Sequence, residues 1–178
     1  MLIFQYGSNL SSERLNSHQR LRGDARVISV ARTVKPYHFC FPVWGGINGC
    51  AAAGILPGGD RPVWGVVYEI PHELVVRNSI IDRPTLDGIE DEGRDYDRGP
   101  VDLIFRDGQA PDDIVHTYHP RAPRDTLLTE WHYVAHILQG AREHGLPCDY
   151  QQYLLDCMLR NNSNLATRLA GFRQTIHS

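Results

Sequence analysis

The chain lacks most of the features that would assign it to a class at a glance. No stretch reaches the ~18 consecutive apolar residues that a membrane-spanning helix needs. There is no basic patch and no long run of like charge, and the formal net charge is only −3. That argues against a nucleic-acid-binding arm. The N-terminus has no charged segment followed by an apolar one, so no secretory signal is expected. The four cysteines, Cys40, Cys50, Cys148 and Cys157, form no Cys-x-x-Cys pair. They suit a reducing compartment as small core residues, and a cytoplasmic protein is the expectation.

Several catalytic signatures are missing as well. Trp44-Gly45-Gly46-Ile47-Asn48-Gly49 is glycine-rich, but it has neither the Lys-Ser/Thr of a P-loop nor a dinucleotide fingerprint, and it reads as a turn between strands. Ser8 lacks the Gly-x-Ser-x-Gly elbow of a hydrolase. His132 and His136 stand four apart on a helical stretch, but no third ligand is evident, so no metal is expected. No repeat, low-complexity tract or linker divides the 178 residues, of which 42% are hydrophobic. One domain covering 1–178 is expected.

What is present is concentrated in two segments. Leu2-Ile3-Phe4-Gln5 runs into Tyr6-Gly7-Ser8-Asn9-Leu10 and then Ser11-Ser12-Glu13-Arg14-Leu15. This reads as a strand breaking into a tight turn and a helix, with Phe4 and Tyr6 on one strand face. Ser8 or Asn9 is the expected helix cap. Free N–H groups at such a turn make either an ordinary capped turn or an anion or oxyanion site. The second segment, residues 86–96, holds Asp87, Glu90, Asp91, Glu92 and Asp95. Asp91 and Asp95 read as solvated. Glu90 follows Leu86 and Ile89, which draw it toward the interior. A carboxyl desolvated there has a raised pKa and becomes a base near neutral pH.

Residues 25–41 read as extended, and residues 51–56 as a strand of small side chains. Pro57-Gly58-Gly59-Asp60 reads as a hairpin turn leading to a partner strand at 62–70. Residues 72–82 read as helix, and 101–105 with 114–118 as a second hairpin. In the last third, Leu127, Trp131, Val134, Leu138 and Ala141 mark one buried helical face, stopped by Gly145 and Pro147. Asp149 is the expected cap of the next helix, and 161–178 a short terminal helix or a frayed end. Strands first and helices last argue for α+β with a largely antiparallel sheet. The pattern leaves open whether that sheet closes into a barrel.

Four motifs in order resemble the γ-glutamylcyclotransferase family, and most closely its γ-glutamyl-amino-acid branch. They are Tyr6-Gly7-Ser8-Asn9-Leu10, Val63-Trp64-Gly65-Val66-Val67-Tyr68, the Leu86-Asp87-x-x-Glu90 segment with Tyr96, and Gly140-Ala141-Arg142-Glu143-His144-Gly145-Leu146-Pro147 with Tyr150-Gln151. The resemblance implies a small barrel flanked by helices, with the cavity at its mouth. It implies Glu90 as the catalytic carboxyl, with Tyr6, Gly7, Ser8, Asn9, Leu10, Tyr96 and Tyr133 around the substrate. It implies cyclisation of a γ-glutamyl compound to 5-oxoproline with no cofactor. The family's usual glycine after the glutamate is replaced by Asp91, and the Glu-Gly pair falls on Glu92-Gly93. Glu92 is therefore the alternative base. The expected partner is the small γ-glutamyl substrate, with no nucleic acid or membrane. A homodimer stays open, as do relatives acting on glutathione or γ-glutamylamines and a non-catalytic binding module.

Overall fold

The computed structural model describes residues 1–77, 80 and 82–173. Strand β1 (Leu2–Gln5) lies in the middle of a six-stranded sheet and is buried almost throughout. A short 3₁₀ turn (Ser8–Leu10) and helix α1 (Ser12–Leu15) follow. Then come β2 (Arg26–Thr33), β3 (Tyr37–Gly45), β4 (Cys50–Pro57) and β5 (Trp64–Glu69). The one-turn helices α2 (His72–Val75) and α3 (Leu86–Ile89) lead to β6 (Tyr96–Pro100), β7 (Leu103–Phe105) and β8 (Val115–Pro120). Helices α4 (Trp131–Glu143), α5 (Cys148–Asn161) and α6 (Ala166–Arg173) complete the chain.

The main sheet has the order β6-β8-β1-β5-β2-β7 and is antiparallel except between β1 and β8. It curls into a half-barrel flanked by helices, the α+β class expected. Hairpin β3–β4 forms a separate two-stranded sheet beside β8.

Two expected hairpins do not form. Strand β5 pairs with β1 and β2 rather than with β4. Val66, Val67 and Tyr68 are all buried completely. A strand covered on both faces needs a partner along each edge, and the turn at 57–60 delivers the chain from one sheet to the other. Likewise β7 pairs with β2 and β8 with β1 and β6. The helix expected over 72–82 is confined to His72–Val75. Residues 78, 79 and 81 of that stretch lie outside the described residues, as do 174–178 of the terminal segment. The cap of α1 is Ser11, whose Oγ accepts from the Arg14 N–H at 3.3 Å, because Ser8 and Asn9 are drawn into the 3₁₀ turn. Pro147, not Asp149, occupies the N-cap position of α5, and Asp149 sits in its first turn.

Helix α4 lies directly on the turn after β1. A Cβ placed on Gly140 would stand 2.3 Å from the Leu10 carbonyl carbon and 2.4 Å from the Ser11 nitrogen. Backbone against backbone leaves no room for a methyl, which accounts for glycine within the 140–147 motif. Gly140→Ala is therefore expected to cost roughly 1–3 kcal/mol through overpacking, although alanine is the better helix former. Urea unfolding followed by circular dichroism measures it. An unchanged midpoint would mean that α4 does not rest on this turn.

Candidate active site

The site is assembled from three parts of the chain. At the end of β1 the backbone passes through Tyr6 and Gly7 into the 3₁₀ turn, closed by the Leu10 N–H on the Gly7 carbonyl at 2.9 Å. The leading N–H groups of such a turn have no partner inside it and remain available. Gly7 has φ −94°, so it is not there for a left-handed conformation. Its role is space. A Cβ on Gly7 would lie 3.4 Å from both the Tyr133 hydroxyl and the Ala53 Cβ, and a larger side chain would run into that hydroxyl.

Helix α3 supplies the carboxyl. Thr85 caps it by accepting from the Gly88 N–H at 3.3 Å, and Glu90 is its C-terminal cap residue. Asp91 follows with φ 52°, the left-handed region that glycine usually fills after a helix. Asp tolerates this conformation better than most residues. Here its carboxylate is also paired with Arg77 and Arg94. The departure from the usual glycine thus preserves the backbone path that aims Glu90. The Glu90 Oε1 accepts from the Asn9 Nδ2 at 2.5 Å, and the Asn9 Oδ1 accepts from the Arg20 Nη1 at 2.8 Å. Burial raises the Glu90 pKa above the usual carboxylate value; Arg20, Arg14 and the Asn9 bond offset part of that rise.

The small residues of β4 make room for rings. Ala53 donates its N–H to the Tyr133 oxygen at 2.9 Å and accepts from the Tyr96 hydroxyl at 2.8 Å. Tyr6 donates to the Tyr118 carbonyl at 2.5 Å. Burial, foremost among the influences, raises the pKa of all three phenols, so they stay protonated.

Behind the rings lies Asp87, a carboxylate only 2% exposed. It accepts from the Tyr118 hydroxyl at 2.7 Å, Arg98 Nε at 2.9 Å and the Arg77 N–H at 3.2 Å.

These groups enclose an inner pocket of about 30 Å³ lined by Tyr6, Gly7, Ser8, Asn9, Glu90, Tyr96 and Tyr133, among others. An outer cleft of about 220 Å³, walled by Arg20, the 45–48 loop and the acidic segment, adjoins it. Seven of the eight residues expected at the site therefore converge. Leu10 does not line the pocket; its side chain is fully buried and its carbonyl accepts from the Tyr68 hydroxyl at 3.1 Å. Glu92 lines neither chamber, and its N–H bonds the Asp87 carbonyl instead. Sequence reasoning missed Arg20, Ala53 and Tyr118. Arg20 and Tyr118 belong to no motif, and Ala53 acts through backbone atoms that side-chain patterns do not reveal.

One pocket thus brings together a desolvated carboxyl, the turn after β1 and three protonated phenols. The chain matches the profile described as gamma-glutamyl cyclotransferase, AIG2-like, over residues 3–135. It belongs to that family and is an enzyme of the cyclotransferase type. A solved structure titled gamma-glutamyl cyclotransferase is 25% identical, with a TM-score of 0.69 over 86% of this chain and 85% of that one. An uncharacterised human protein is also 25% identical, with a TM-score of 0.71 over the same shares. YkqA from Bacillus subtilis shares the fold at 22% identity, with a TM-score of 0.70 over 89% of this chain and 54% of its own. No curated protein matches this chain in sequence. Among the described residues no helix is long and apolar enough to cross a membrane.

Proposed function

We propose that the protein cyclises a γ-glutamyl amide to 5-oxoproline and releases the amine or amino acid. The observation that carries this reading is the Glu90 carboxyl, desolvated, held by Asn9 and facing the turn after β1. The substrate brings its own nucleophile. Its α-amino nitrogen attacks the γ-carbonyl carbon, a five-membered lactam forms, and the bond to the leaving nitrogen breaks. The enzyme has three tasks: to fold the chain, take a proton from the ammonium and stabilise the oxyanion. Glu90 takes that proton and returns it to the leaving nitrogen; it then takes the second proton, which the attacking nitrogen sheds as it becomes the lactam N–H, and the released amine carries it away as an ammonium, so a single carboxyl serves as base and acid. No electron is transferred, and the scheme needs no cofactor. The raised Glu90 pKa supports the role, because a base is most effective when its pKa approaches the working pH.

The relatives of the same fold that act on glutathione or on γ-glutamylamines differ in the leaving group, which occupies the outer cleft in this scheme. A binding module without catalysis is less well supported, because a desolvated carboxyl with a raised pKa costs stability without helping a binder. The deciding assay is 5-oxoproline release from a γ-glutamyl amino acid, glutathione and a γ-glutamylamine. Release from at least one is expected, and its leaving group identifies the substrate class. No release from any of them by the folded protein overturns the reading.

A further inference from the structure

Within the cyclisation scheme, on which this inference rests, the turn N–H groups need a partner to hold the oxyanion, and the hydrogen-bond directions single one out. Four phenols line the inner pocket: Tyr6, Tyr96, Tyr118 and Tyr133. A phenol has one proton to donate. Tyr6 gives its proton to the Tyr118 carbonyl, Tyr96 to the Ala53 carbonyl and Tyr118 to the Asp87 carboxylate. A backbone carbonyl can only accept, so the Tyr6 and Tyr96 bonds have one possible direction, and the Tyr118 hydroxyl is the donor to Asp87. Tyr133 is the reverse case. Its oxygen accepts from the Ala53 N–H at 2.9 Å, and that bond leaves the phenol proton uncommitted.

Position agrees with direction. Ser8, Glu90, Tyr96 and Tyr133 line both the inner pocket and the outer cleft. An amide bound across the junction of the two chambers places its scissile carbonyl among these four residues. Glu90 is the proton-transfer group and the Tyr96 proton is committed. The Ser8 N–H and the Tyr133 O–H remain. The Tyr133 oxygen lies 3.4 Å from where a Cβ of Gly7 would stand, so the phenol faces the same turn that carries the N–H groups. We infer that Tyr133 is a catalytic residue whose hydroxyl, with the N–H groups of the Gly7-Ser8 turn, stabilises the oxyanion formed when the α-amine adds to the γ-carbonyl. Buried as it is, such a donor acts in a low-dielectric setting and needs no reorganisation as the charge develops.

The test is Tyr133→Phe, with kcat measured as release of the leaving amine from a γ-glutamyl amide, which yields 5-oxoproline, and from its γ-thioamide, which yields 5-thioxoproline. Removing one oxyanion donor typically lowers kcat by about 10²–10³. A loss of that size with KM little changed is expected. The variant also leaves the Ala53 N–H without its acceptor, so reduced stability alone would lower the apparent rate. The amide-to-thioamide rate ratio removes that ambiguity, because a ratio taken within one variant is independent of the fraction folded. Sulfur accepts hydrogen bonds poorly, so the wild type should be slowed by the thioamide much more than Tyr133→Phe is. Equal ratios in the two proteins would overturn the assignment of Tyr133 while leaving the cyclisation intact. A wild type that releases no 5-oxoproline would remove the cyclisation and this inference with it.

Discussion

Glu90→Gln is expected to remain folded and to release 5-oxoproline with kcat reduced roughly 10²–10⁴-fold, the usual contribution of general acid–base catalysis. Glutamine keeps the shape of the side chain, and its carbonyl oxygen still accepts from the Asn9 amide that now meets Glu90 at 2.5 Å. It cannot take a proton. Substrate binding should survive, so the loss should fall on kcat and leave KM largely unchanged. Glu92→Gln is the control, because that carboxyl lines neither chamber. Near-normal turnover in Glu90→Gln together with collapse in Glu92→Gln would show that the base had been misassigned.

The same residue sets a pH dependence. Burial raises the Glu90 pKa, and a base works only when ionised, so kcat/KM should fall as pH drops through a value above 4.5. Stability follows the opposite sense. A carboxyl with a raised folded pKa binds its proton more readily in the folded state than in the unfolded chain. Keeping it ionised therefore works against folding above the folded pKa. Below the unfolded value of about 4.3 both states are protonated and the effect disappears. Glu90→Gln should accordingly be at least as stable as the wild type at neutral pH, with any gain in Tm lost in acid. A variant clearly less stable at neutral pH would show that the ionised carboxyl is held more favourably than its burial implies.

The contrast between what the sequence revealed and what it hid has a physical basis. Strand β1, the turn after it and the inward pull on Glu90 were readable because each depends on neighbours within a few residues. Of the expected buried face, Val134, Leu138 and Ala141 are fully buried on α4, whereas Trp131 is half-buried at its start and Leu127, also half-buried, precedes it. Strand pairing was not readable. The glycine-rich turn at 57–60 is a local signal, whereas the destination of β5 is set by its two buried faces and the strands able to cover them. The Arg20–Asn9–Glu90 chain spans positions 20, 9 and 90, and only the fold brings them together. Asp91 shows the converse. Its identity departs from the common motif while its backbone follows it, because the left-handed position is a requirement of geometry that a residue other than glycine meets here.

Asp87→Ala should be the most destabilising single change around the site, by about 3–5 kcal/mol, the range seen when one partner of a buried ion pair is removed. The Asp87 side chain is 3% exposed and its partner Arg98 19%, at 2.9 Å. Alanine would leave the Arg98 guanidinium, the Tyr118 hydroxyl and the Arg77 N–H without the acceptor they share. Each lost partner adds a desolvation cost, and the guanidinium contributes most because its charge remains. Asp87→Asn should fall in between. Its side-chain oxygen can serve Arg98 and Tyr118, but its NH₂ meets the Arg77 N–H donor to donor. Removing both charges tests the reasoning further. A double variant Asp87→Ala, Arg98→Ala should be less destabilised than the sum of the two single changes, because no uncompensated charge stays buried. Activity should fall with stability, since Asp87 lies on α3 three residues before Glu90 and anchors that helix to β6 and β8. Urea midpoints for the four proteins supply the cycle. If Asp87→Ala shifts stability by less than about 1 kcal/mol, the range of an exposed ion pair, the carboxylate is not holding α3 in place.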